Sequence, residues 1–216
     1  MIKWNAVITT HPTSDSFEPT RVGFYDGGYR GNPGPGGSGS VVVEMTGTAQ
    51  PPEVVWAAAT ALGSRSTTNN VAEFVGLHRL LKRAAEMHWK NLHVVGDSQM
   101  IVGLMRRRKA PKSKKMRFWY EKVRRLADQC QVTSWTHHYR AYNKTADWLA
   151  NQAMDTKASG SYSKEFGAHH FLNRGVQPLI DGDVKGWIQV DVGRAATNNR
   201  LGSLAYERDR GKPGTG

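Results

Sequence analysis

An α/β domain built on one five-stranded mixed sheet flanked by helices is what this chain predicts, and three observations predict it. Three β-rich stretches follow one another between residues 20 and 60. Two further short apolar strands are each set between helical stretches. The resulting order, β-β-β-α-β-α-α-β-α, needs both antiparallel neighbours and parallel crossovers, with the helices laid on the sheet.

Taken in order, residues 20–26 (TRVGFYD) read as a first strand and 38–46 (SGSVVVEMT) as a second, joined by the glycine- and proline-rich turn GGYRGNPGPGG. Residues 52–60 (PEVVWAAAT) make a third, so these three form an antiparallel meander. VAEFVGLHRLLKRAAEM, 71–87, has the apolar 3–4 spacing of an amphipathic helix. NLHVVG, 91–96, is a short apolar strand, and a helix follows from about Ser98 to Arg107, where Pro111 interrupts. A second helix runs to about Gln129, VTSWTHH (132–138) is the fifth strand, and NKTADWLANQAMD (143–155) is the last helix. Residues 1–19 read as a polar leader and 20–158 as the domain. Residues 159–216 read as a dispensable tail or linker, disordered in part, in which only GWIQVDV (186–192) alternates like a strand.

The 216 residues suffice for one good core. No apolar run approaches the ~20 residues of a membrane helix, and the first residues lack a signal-peptide core. A single cysteine, Cys130, excludes an internal disulfide, suits an intracellular home and is expected to be a small buried hydrophobe. The net charge of +12 points to a polyanionic partner. It is densest at Arg106, Arg107, Arg108, Lys109, Lys112, Lys114, Lys115 and Arg117, beside Phe118, Trp119 and Tyr120. Such a run suits nucleic-acid phosphates, although a solvated helix face or an import signal has the same composition.

Four carboxylates carry the chemistry. Asp26 closes the first strand at the lip of the glycine-rich turn. Glu73 follows Thr-Thr-Asn-Asn, Asp97 ends a buried strand, and Asp147 shares a helical face with Ala150 and Met154. Each has a local alternative: a turn aspartate for Asp26, a capping box of Asn70 with Glu73, a helix cap for Asp97. Asp147 is expected to point inward. Together they fall at strand ends and on the helices that pack there. Acids gathered in one place repel one another unless hard divalent cations join them.

The ordered set of Asp26-Gly27-Gly28 with Asn32-Pro33-Gly34-Pro35-Gly36-Gly37, Thr68-Asn69-Asn70-Val71-Ala72-Glu73, Gly96-Asp97-Ser98 and Asn143-Lys144-Thr145-Ala146-Asp147 resembles type 1 ribonuclease H over residues 20–157. The resemblance implies the ribonuclease H fold and hydrolysis of the RNA strand of RNA–DNA hybrids. It implies two Mg2+ ions, with Mn2+ substituting, held by Asp26, Glu73, Asp97 and Asp147, and products with 5′-phosphate and 3′-hydroxyl ends. It assigns hybrid contacts to Gly27, Asn32, Thr68, Asn69, Asn70 and Ser98, with backbone amides and asparagines reading 2′-hydroxyls in the minor groove.

Two departures accompany it. The loop His137-His138-Tyr139-Arg140-Ala141-Tyr142 lacks the glycine and glutamate of the bacterial and nuclear enzymes. It is closer to the archaeal-like, plant and retroelement variety, in which an arginine occupies the loop, so Arg140 is expected to be the catalytic loop residue and His137 to lie in the strand. The region after Asp97 is too short for the bacterial basic handle, and the Arg106–Arg117 run takes part of its place. Two rivals stand beside this reading: a metal-free nuclease using His137 and His138, and a catalytically silent hybrid-binding module of a polyprotein. The chain is expected to act as a monomer unless it is part of such a polyprotein.

Overall fold

A computed structural model describes residues 19–31, 35–46, 51–64, 67–165 and 174–190. Asn32, the expected leader over 1–18 and the stretch 191–216 lie outside the described residues. The first three strands, β1 (Thr20–Tyr29), β2 (Gly36–Met45) and β3 (Glu53–Leu62), form the expected antiparallel meander. Helix α1 (Asn69–Glu86) crosses to β4 (His93–Gly96), which lies parallel to β1. Helices α2 (Gln99–Arg107) and α3 (Lys114–Gln129) lead to β5 (Ser134–His137), parallel to β4. A 3-10 turn at Arg140–Tyr142 then enters α4 (Lys144–Thr156).

Side-chain alternation divides the core between the two faces of the sheet. On one face Tyr25, Val42 and Val94 meet Phe74, Leu77, Leu80 and Leu81 of α1, backed by Val123 and Ala127 of α3. On the other, Val22, Phe24, Val41 and Val43 meet Ala146, Leu149 and Ala153 of α4. Cys130 is buried as expected, its thiol directed at the Leu81 carbonyl.

The expected tail is corrected in its first part. A sixth strand, β6 (Gly160–Ser163), adds antiparallel to β3, giving the order β5-β4-β1-β2-β3-β6. Residues 174–190 form a helix, α5, where 186–192 was expected to be a strand. Val176, Ile180, Val184 and Trp187 are all fully buried and join the α4 side of the core. Their spacing of four, four and three residues is helical, and each such side chain contributes about 1.5–3 kcal/mol on burial. The packed unit therefore extends past residue 158.

Candidate active site

The parallel neighbours β1 and β4 part after Tyr25 and Gly96: β4 ends there, whereas β1 runs on to Tyr29, so Asp26 lies within its strand and does not close it as expected. Asp26 stands on β1 directly after Tyr25, and Asp97 follows Gly96. Glu73 arrives from α1, which sits close because Gly27 has no side chain: a Cβ there would run into the backbone of Ala72 and Glu73. Asp26, Glu73 and Asp97 each offer a carboxylate oxygen within 4.8 Å of the other two.

None of the three acts as a helix cap. The N-cap of α1 is Thr68, whose hydroxyl accepts from Val71 N at 3.4 Å, so the capping box expected of Asn70 and Glu73 does not form. The N-cap of α2 is Ser98 rather than Asp97. Asp26 and Glu73 are each 5% exposed. Glu73 Oε2 and Asp97 Oδ1 are buried without a protein hydrogen-bond partner, whereas Asp26 Oδ1 accepts from Gly27 N at 2.7 Å.

Burial, then the charge of Asp97, pushes the Asp26 carboxyl up to about 8, against the pull of the Gly27 amide. Burial, then the charges of Asp26 and Asp97, pushes Glu73 up to about 9. Asp97 is also raised by burial, with the Arg140 guanidinium pulling the other way. Tyr25 packs beneath the cluster with its hydroxyl buried and unpartnered, and burial and then Glu73 raise its pKa. Three oxygen-donor groups that hold protons this tightly, two of them with an unpartnered oxygen, suit a hard divalent cation.

Asp147, on the first turn of α4, is half-buried and close enough to raise the pKa of Asp26, but it is not within the tight trio. Its Oδ1 accepts from Arg140 Nε at 3.1 Å and also pairs with the terminal nitrogen of that guanidinium. Arg140 lies at the start of the 3-10 turn, exposed above the acids, and His137 lies in β5 with its Nε2 against the Asp97 carbonyl at 3.1 Å. His138 is turned inward, 4% exposed and edge-on to Tyr142. The two histidines thus do not form an acid–base pair. Asn69 lies alongside Gly28, with Thr68 and Asn70 adjacent, on the rim near Gly27. The basic run falls at the α2–α3 junction, where Arg106–Lys109, Lys112, Lys114, Lys115 and Arg117 are exposed or partly so. Phe118 is also exposed there, with Lys122 Nζ 4.3 Å from its ring centroid. Asn143, part of the last sequence block, ties the start of α4 to the Tyr25 carbonyl, and Asp183, which accepts from Lys144 N and Thr145 N, is the support that sequence reasoning misses. A cap supplied from a distant segment has no local sequence signature.

A mixed sheet of this strand order, with carboxylates gathered where its parallel strands β1 and β4 part, defines a ribonuclease H-like domain. The chain belongs to the ribonuclease H family: the model of the family described as "Reverse transcriptase-like" matches residues 24–153. The chain is 32% identical over 142 residues to Ribonuclease HI of Halobacterium salinarum, covering 64% of this chain and 68% of that protein. It is 38% identical over 136 residues to the Bifunctional protein Rv2228c of Mycobacterium tuberculosis, covering 63% of this chain and 36% of that protein. It therefore spans about a third of the length of the mycobacterial relatives it matches. Among solved structures, the N-terminal RNase H domain of Rv2228c superposes with a TM-score of 0.56 at 35% identity, covering 64% of this chain and 96% of that one. LC11-RNase H1, solved in complex with an RNA/DNA hybrid, has a TM-score of 0.53 at 28% identity, covering 64% of this chain and 99% of that one.

Proposed function

We propose that the protein is an endoribonuclease that hydrolyses the RNA strand of RNA–DNA hybrids, leaving 5′-phosphate and 3′-hydroxyl ends. The observation that carries this is the buried trio Asp26, Glu73 and Asp97 within 4.8 Å, on a ribonuclease H-like sheet. The LC11-RNase H1 complex, a protein of the same fold with a bound hybrid, supports the substrate class. Asp26, Glu73, Asp97 and Asp147 would hold two Mg2+ ions, or Mn2+ in their place. Bound there, such a pair supplies Lewis acidity for an attacking water and for the leaving 3′-oxygen.

The chain's own groups have separable tasks in this reading. The buried trio gives up its protons together only to a counter-charge, so it would take a phosphate alongside cations. Arg140 is always charged and cannot be a general base, so its part is to hold the scissile phosphate and stabilise developing negative charge beside Asp147. Gly27, expected as a hybrid contact, is buried against α1 and gives its amide to Asp26, so its part is to let Glu73 approach. Asn69 and Asn70 read the 2′-hydroxyl, which is recognised and does not attack. Asn32, Thr68 and Ser98 complete the expected contacts. The basic α2–α3 junction grips phosphates outside the reacting centre.

The test is a labelled hybrid incubated with Mg2+, with Mn2+ and with chelator. Cleavage of the RNA strand with either metal, stopped by chelation, is expected. Undiminished cleavage in excess chelator would contradict the acid-trio reading, and binding without cleavage under any condition would identify a silent hybrid-binding module.

A further inference from the structure

The helix that carries Asp147 begins without a cap of its own. Asn143 occupies the N-cap position of α4, but its Nδ2 donates to the Tyr25 carbonyl at 2.9 Å and the side chain makes no cap bond. The first two amides of α4 are satisfied from elsewhere. Asp183 Oδ1 accepts from Lys144 N at 3.0 Å and Oδ2 from Thr145 N at 2.8 Å. Asp183 is 1% exposed and belongs to α5, whose residues lie beyond the matched span 24–153. An anionic acceptor at orphan amides is the favourable partner for a helix N-terminus.

The same helix touches two more supports of the site. Gly186 of α5 meets the 3-10 turn that carries Arg140: a Cβ there would lie 2.8 Å from Tyr142 Cδ1. Trp187 packs on His93 of β4, ring centroids 5.1 Å apart, and β4 leads into Asp97. One helix therefore braces the start of α4, the Arg140 turn and the Asp97 strand.

We propose that α5 is a positioning element of the active site, and that Asp183, as the N-cap supplied to α4, fixes where Asp147 and Arg140 stand relative to Asp26 and Asp97. The proposal rests on the hydrolytic reading of that site. Asp183 touches no reacting group and is a positioning residue. Without its carboxylate the first turn of α4 frays, and Asp147 loses its register with the acids opposite, since Asp147 N hydrogen-bonds to Asn143 O at 3.1 Å within that turn. The grip on the hybrid, provided by α1 and the basic helices, is untouched.

The experiment uses the full chain and the variants Asp183→Ala, Asp183→Asn and Gly186→Ala. It reads kcat and KM on a hybrid, amide hydrogen exchange at Lys144 and Thr145, and Mg2+ affinity by calorimetry. Displacements of about 1 Å can cost about a hundredfold in rate, so Asp183→Ala is expected to lower kcat about tenfold or more with KM within about twofold. Asp183→Asn keeps one of the two acceptors and turns an amide donor toward the other N–H, so it is expected to recover only part of that loss. The Lys144 and Thr145 amides should exchange at least about tenfold faster in Asp183→Ala. A lowered melting temperature with kcat unchanged, or kcat and KM failing together, overturns the proposal. So does an Asp183→Asn protein in which the protection of these amides returns and kcat does not. Should Asp183→Ala not fold, Gly186→Ala decides: a lower kcat at unchanged KM supports the proposal, and an unchanged kcat overturns it. If the unaltered chain cleaves no hybrid, the hydrolytic reading fails by itself. The positioning role is then read from Mg2+ affinity, where weaker binding in the folded variant, with faster exchange, supports it and equal binding overturns it.

Discussion

Asp26 and Glu73 set a pH dependence whose sign follows from their environment. Their carboxyls rise from ordinary values of 3.8 and 4.5 to about 8 and about 9 in the folded protein. The folded state thus holds these protons more tightly than the unfolded state does. In metal-free buffer it carries no penalty below about pH 4, and an increasing one as pH climbs from there through 8 and 9. Asp26→Asn is expected to abolish turnover yet raise the metal-free melting temperature at pH 9, by about 2–4 °C for each kcal/mol relieved. At pH 5 calorimetry should show a far smaller gain. A large fall at either pH would make Asp26 a structural residue. For Arg140→Ala the expected outcome is a kcat about tenfold to a thousandfold lower with KM nearly unchanged, and a smaller loss for His137→Ala. The reverse ranking in steady-state kinetics would transfer the loop role to His137. The sequence singles out the four acids only as a set, and the structure gathers Asp26, Glu73 and Asp97 of them within 4.8 Å. Thr68 and Ser98 take the cap positions that Asn70 and Asp97 could have filled, a choice of one or two residues that local pattern does not resolve.

At the scale of elements, the α2–α3 junction should govern salt dependence. Replacing Arg107, Lys109, Lys112 and Lys114 by glutamine is expected to weaken hybrid binding and flatten the slope of log affinity against log salt by about 0.7–0.9 for each phosphate no longer neutralised. Titrations at several salt concentrations check this, and an unchanged slope would reduce the run to a solvated surface. The strands through β5 were legible as short β-rich or apolar runs bounded by turn residues, and the helices α1 to α4 by their apolar 3–4 spacing or helix-stop residues. Helix α5 was not, because Pro178 and three glycines within 174–190 suppress its helical signal while Ile188, Val190 and Val192, alternating with Gln189 and Asp191, mimic a strand. Its period emerges only when Val176, Ile180 and Val184 are counted with Trp187. Trp187→Ala is expected to cost about 3–5 kcal/mol in chemical unfolding, a value a solvated tail could not produce.

Across the whole molecule, the described residues contain no helix long and apolar enough to cross a membrane. The candidate-site groups are drawn from β1, α1, the end of β4, the Arg140 turn and α4, and Asp183 from still further along the chain. Removing residues 174–216 is therefore expected to leave a chain that unfolds less cooperatively and cleaves more slowly. Thermal melts and kinetics on the shortened protein check both. The sixth strand carries a separate consequence, for solubility. β6 covers Trp56, Ala57, Ala58 and Ala59 along the outer edge of β3, the middle of a ten-residue strand whose buried run begins at Val54. A chain cut at residue 158 would bare that edge as a flat, uncharged row of unpaired amides and carbonyls, the form of strand that recruits other strands. Such a fragment is expected to assemble through β3, whereas one ending at residue 165 keeps that edge covered.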